Sequence, residues 1–108
     1  MNINFTQVIK DQDNKPLQDV IAMQMDPSKE IILTLGRAVS HSLMSQDQNE
    51  QISGEEKFNR GMLSFKIRDA EECEVKAEDV VLMKKQLAKL FSPIVIYRAY
   101  PMLDKSDG

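Results

Sequence analysis

Nucleophilic hydrolysis needs a serine or cysteine, a base within hydrogen-bond reach and a third group that orients the base. The chain has 108 residues, with one histidine, His41, and one cysteine, Cys73. His41 lies in Ser40-His41-Ser42, within a segment of helical spacing, and no Gly-x-Ser-x-Gly turn accompanies it. Its expected place is the surface or half-buried face of a helix. Cys73 is flanked by Glu71, Glu72 and Glu74. Carboxylates oppose a thiolate, so Cys73 reads as a bystander. No catalytic residue is assigned, and the expectation is a protein that is not an enzyme.

Metal and cofactor chemistry find no better footing. Asp11-Gln12-Asp13-Asn14-Lys15 opens like a calcium loop with acidic residues at alternate positions. Lys15 then occupies a ligand position, Pro16 stands where glycine is needed, and Ala22 stands where the bidentate glutamate belongs, so the segment reads as a turn. Glu71, Glu72, Glu74, Glu78 and Asp79 form an acidic cluster whose ordinary meaning is a solvated surface. Neither glycine-rich phosphate loop is present. The expectation is no cofactor and no resident metal.

Binding surfaces remain. Lys66 and Arg68 fall on one helical segment and Lys84, Lys85 and Lys89 on another, where adjacent polar faces would make a cationic patch. No aromatic residues interleave with them, and the net charge is −3, so nucleic-acid binding ranks below protein binding. The seven methionines suit adaptable protein recognition. Met62 and Met83 read as core filler. Met23, Met25, Tyr97, Tyr100 and Met102 are the apolar interface candidates, and Glu71, Glu72 and Glu74 the acidic ones. A homo-oligomer would bury some of them.

These residues depend on an α+β arrangement that is mostly helical, a single domain over 1–108 with an N-terminal β-hairpin or small antiparallel sheet packed with about four helices. Residues 2–9 alternate, Ile3 and Phe5 one way and Asn4 and Thr6 the other, as a strand does. The polar run 11–16 turns the chain, and Leu17 to Met25 is expected as the returning strand, closing a hairpin at about 2–25. Glu30-Ile31-Ile32-Leu33 suggests a third strand. Thr34 caps a helix at about 35–45, in which Gly36 is a slight weakness. Residues 46–52 form a polar loop. Ser53-Gly54-Glu55-Glu56 fits a capping box for a helix at about 54–69, whose apolar stripe is Phe58, Met62, Leu63 and Phe65. Asp69 to Asp79, with six acidic residues in eleven, reads as an exposed connection with a short extended piece at 73–75. A helix at about 77–91 buries Val80, Met83, Leu87 and Leu90, and Ser92-Pro93 opens the last one at about 93–103, with Pro101 opposing its continuation. Residues 105–108 read as a frayed end.

Composition agrees with an ordinary folded domain, at 42% hydrophobic and 29% charged residues. A lone cysteine, no basic-then-apolar start and no apolar run of about 20 residues together point to a cytoplasmic protein without a membrane span.

The chain carries Met1-Asn2-Ile3-Asn4-Phe5, Asp13-Asn14-Lys15-Pro16, Leu33-Thr34-Leu35-Gly36 and Ser53-Gly54-Glu55-Glu56-Lys57 before Lys66-Ile67. It continues with Ala77-Glu78-Asp79 before Lys84-Lys85, and Ser92-Pro93-Ile94-Val95. In these motifs and in the order of its elements it resembles small tailed-phage and prophage accessory proteins. The resemblance implies a phage origin and work in the host cytoplasm, and supplies no site residue. The expected function is contact with a protein partner, such as binding or inhibiting a host protein. The alternatives are a self-associating tail or head assembly factor and nucleic-acid binding through the basic helix faces.

Overall fold

The computed structural model describes residues 1–45 and 49–104, so the centre of the expected 46–52 loop and the expected frayed end lie outside the described residues. Among the described residues there are five helices and one two-stranded sheet. The fold is mostly helical α+β, as the pattern of the sequence predicts.

The amino-terminal strand β1 (Asn2–Ile3) pairs antiparallel with β2 (Cys73–Glu74), Ile3 opposite Cys73. The alternation of residues 2–9 holds: Ile3, Phe5 and Ile9 are buried and Asn4 and Thr6 exposed. Its hydrogen bonds, however, reach across the molecule. The Phe5 N–H donates to Ala70 O at 2.9 Å, the Ile9 N–H to Leu33 O at 2.9 Å, and the Gly36 N–H to Phe5 O at 2.8 Å.

The expected hairpin is therefore corrected. The chain does reverse over Asp11–Lys15, with Asn14 at φ 64° in the left-handed region that asparagine tolerates. The returning segment pairs only briefly, its Leu17 N–H donating to Ile9 O at 2.9 Å. It then becomes helix α1 (Val20–Met25) rather than a strand. Asp19 decides this, because its carboxylate accepts the Ala22 N–H at 3.0 Å and caps the first turn. The expected third strand shrinks to isolated bridges, Ile32 with Gln18 and Thr34 with Val8.

Helix α2 (Leu35–Met44) is the central element, with Leu35, Ala38, Val39 and Leu43 buried. Thr34 caps it, accepting the Arg37 N–H at 3.2 Å. Helix α3 (Gly54–Ile67) starts at Ser53, whose hydroxyl accepts the Glu56 N–H at 3.0 Å. The Glu56 side chain turns to Arg60 at 3.3 Å instead of reaching back to Ser53. Helix α4 (Ala77–Leu90) buries Val80, Met83 and Leu87. Its stripe also takes in Gln86, while Leu90 is left 40% exposed, against the expectation. Helix α5 (Pro93–Asp104) runs through Pro101. Proline removes one helical hydrogen bond but not the register, and burial of Leu103 beyond it keeps the last turn seated. Each fully buried side chain such as Phe5, Leu35 or Leu87 contributes about 1.5–3 kcal/mol of transfer free energy.

Candidate interaction surfaces

Helix α3 is the element that departs furthest from expectation. Its stripe Phe58, Met62 and Phe65 should face the core by pattern, yet these residues are 67, 55 and 77% exposed. Its buried residues are Arg60, Ser64 and Ile67, on the opposite side of the helical wheel. The reason lies in α2. A Cβ on Gly36 would stand 2.1 Å from Arg68 O and 3.0 Å from Ile67 O, so the backbones nearly touch. Ser40 and Ser64 then meet hydroxyl to hydroxyl at 2.5 Å. Serine, arginine and one isoleucine fill this close face, while Phe58, Met62 and Phe65 are turned outward. Met62 is thus surface, not core filler, whereas Met83 is fully buried.

Arg60 closes the inner face. It donates through Nη1 to Glu50 at 2.8 Å and through Nε to Glu56 at 3.3 Å. Glu50 also accepts from Lys89 of α4 at 2.7 Å. Hydrogen bonds from Lys89 and then Arg60 hold the Glu50 carboxyl down at about 2, against a small opposing cost of burial.

The one histidine is built into a second polar cluster. His41 Nε2 lies 3.0 and 2.8 Å from the two oxygens of Asp19, and Arg37 Nη1 is 3.6 Å from the same carboxylate. Asp19 is 1% exposed. Burial alone would raise its pKa, but the Ala22 N–H, the His41 hydrogen bond and the charges of His41 and Arg37 together keep it below the ordinary value. A carboxylate–imidazole pair also orients catalytic histidines, so the neighbouring hydroxyls matter. Ser42 donates to Ala38 O at 2.9 Å, and Ser40 is bonded to Ser64. The arrangement staples α1 onto α2. Cys73 is buried on β2 opposite Ile3.

The remaining candidate residues spread over separate faces. Met25 is 89% exposed at the end of α1, and Met23 is half-buried there, on a helix rather than the expected strand. Glu71, Glu72 and Glu74 are exposed beside β2. Tyr97 is 73% exposed, while Tyr100 donates its hydroxyl to Lys84 O at 2.8 Å and Met102 is half-buried. Among the basic candidates, Lys66 donates to Glu74 O at 3.0 Å, Lys84 pairs with Asp104 and lies over the Tyr100 ring, and Lys89 bonds Glu50. Arg68 is half-buried and Lys85 exposed. Three of the five are thus engaged with acceptors of the chain itself, which leaves little of a joint cationic patch.

Arg98 is not among the site residues expected from the sequence. It donates to Asp11 O at 2.8 Å and holds the 11–15 turn against α5. It also separates two shallow depressions, one of about 420 Å³ lined by Gln12, Pro93, Ile94 and Tyr97, the other of about 500 Å³ with Gln7, Val8, Lys10 and Met102. No sequence signal marks a partner so far away in the chain. Among the described residues, no cluster of three or more His, Cys, Asp or Glu side chains could hold a metal ion, and no helix is long and apolar enough to cross a membrane.

No family model matches the chain, and no match was found among curated proteins or solved structures.

Proposed function

We propose that the protein is a non-enzymatic accessory protein that works by contact with another protein, in the manner of the phage proteins its sequence resembles, with a host protein as the natural class of partner. One observation supports this most: the outward stripe Phe58–Met62–Phe65, two aromatic rings and a thioether held on a rigid helix and left in water. Exposed apolar groups that are contiguous rather than scattered mark recognition surfaces, and phenylalanine and methionine are enriched in them. The exposed carboxylates Glu71, Glu72 and Glu74 would steer a basic partner toward the molecule without adding much affinity. The internal pairing of Lys66, Lys84 and Lys89 weighs against a nucleic-acid reading.

The test is capture of partners by the intact chain and by its Phe58→Ser/Phe65→Ser double variant. A specific protein retained by the first and lost by the second, with unchanged circular dichroism, is the expected result. Partners retained equally by both would remove the α3 face from the proposal. Steeply salt-dependent binding to duplex DNA would favour the basic-face alternative.

A further inference from the structure

We infer that the outer face of α3 seats a second copy of itself, run antiparallel, to form a two-fold dimer. This deepens the protein-contact reading above and rests on it. Three features of α3 carry it.

The first is symmetry. A two-fold axis between Gly61 and Met62 sets Phe58 of one copy against Phe65 of the other, and Met62 against the partner's Gly61. Self-complementarity of one patch is what a closed dimer requires. The second is Gly61. It lies beside the stripe, and among the described residues no atom beyond its own stretch of helix stands within 4 Å of where its Cβ would be. A mid-helix glycine costs about 1 kcal/mol relative to alanine, and nothing inside the fold demands it. Opposite Met62 it leaves a notch for that side chain. The third is charge. Glu55 and Lys66 lie on the same flank of the stripe, near opposite ends of the helix, and both are exposed, Lys66 having to exchange its hydrogen bond to Glu74 O for the new partner. The antiparallel arrangement brings Glu55 of each copy beside Lys66 of the other, twice over, and opposes the two helix dipoles. A parallel pair would instead set Glu55 beside the partner's Lys57 and Lys66 beside the partner's Arg68, and would align the two dipoles. The other flank carries Lys57 and Arg68, of like sign, and weakens the pair. Four phenylalanines and two methionines would bury on the order of 800 Å², below a standard stable interface, so the dimer is reversible and micromolar or weaker.

Sedimentation equilibrium of the full chain is expected to give a monomer–dimer equilibrium below about 100 μM. Phe65→Lys should weaken it about 30-fold or more. Glu55→Lys and Lys66→Glu should each weaken it, and the two exchanges combined in one chain should restore it. Arg68→Glu, facing the partner's Lys57, should tighten it. In a Cys73→Ala background, mild oxidation should join Met62→Cys chains but not Glu55→Cys chains, whose sulfurs would lie about 20 Å apart along the axis. The charge-exchange series needs no change at Cys73, so it stands if that variant folds poorly. A chain that stays monomeric at 100 μM overturns the inference, as does ready joining of Glu55→Cys chains or a combined exchange that fails to restore association. Should the monomeric chain still lose a captured protein through Phe58→Ser/Phe65→Ser, the second copy is excluded as occupant while the protein-contact reading stands.

Discussion

The two faces of α3 invert the usual arrangement of an amphipathic helix. The inner face, against α2, carries Arg60, Ser64 and Ile67, and the outer face carries Phe58, Met62 and Phe65. The inner face is held by proximity: Gly36 lets the backbones nearly touch, a serine pair bridges them, and Glu50 neutralises the buried arginine. The outer face is mostly left in water. The difference teaches that apolar patterning assigns a stripe to a helix without saying which neighbour covers it.

Substitutions on the two faces should therefore differ sharply. The largest effect belongs to Gly36→Ala. Its Cβ would collide with a backbone carbonyl that cannot rotate away, so α2 and α3 must separate, at a cost of about 3 kcal/mol or more. Thermal unfolding should show a fall of many degrees, and an unchanged midpoint would mean the close approach is not needed. Next comes Ser64→Ala, which leaves the buried Ser40 hydroxyl without its partner; a loss of about 1–2 kcal/mol in urea unfolding is expected. Acid should reveal Glu50. Its folded pKa of about 2 lies below the ordinary 4.5, so its stabilising contribution is full above pH 4.5 and is lost as pH falls from there toward 2. Glu50→Gln should flatten that part of the stability–pH curve. The smallest effect belongs to the outer face. Phe58→Ser and Phe65→Ser should change monomer stability by less than about 0.5 kcal/mol, and a larger loss in urea unfolding would show that the stripe packs within the fold after all.

How much of this was written in the sequence depends on the range of the interaction. Helices α2, α3 and α4 and the start of α5 were legible because Thr34, Ser53, Asp79 and Pro93 act within one turn of where they stand. The brief strand at 73–75 was legible too, but not its partner. The expected returning strand does not form, because the role of Asp19 is set by contacts outside its own segment. Asp19 is a buried cap, made tolerable by His41, 22 residues away. Gly36 read as a weakness of one helix, since its reason sits in the carbonyls of another. The burial of Arg60 and Gln86 was likewise invisible, since their neighbours come from elsewhere in the chain. Among the candidate surfaces, Met25, Tyr97 and the acidic residues are exposed, while the α3 stripe is apolar as its pattern says but faces away from the core.

The pairing of β1 with β2 also bears on how the molecule assembles. Residues 2–3 close against 73–74, and Phe5 hydrogen-bonds to Ala70 and Gly36. A ribosome must therefore have released most of the chain before the first strand can find its seat. Closing so long a loop early is entropically unfavourable, so the α2–α3 pair should collapse first and the amino-terminal segment should dock late. Until then Phe5, Ile3 and Ile9 travel uncovered, and this interval is when the nascent protein is most open to chaperones and to aggregation.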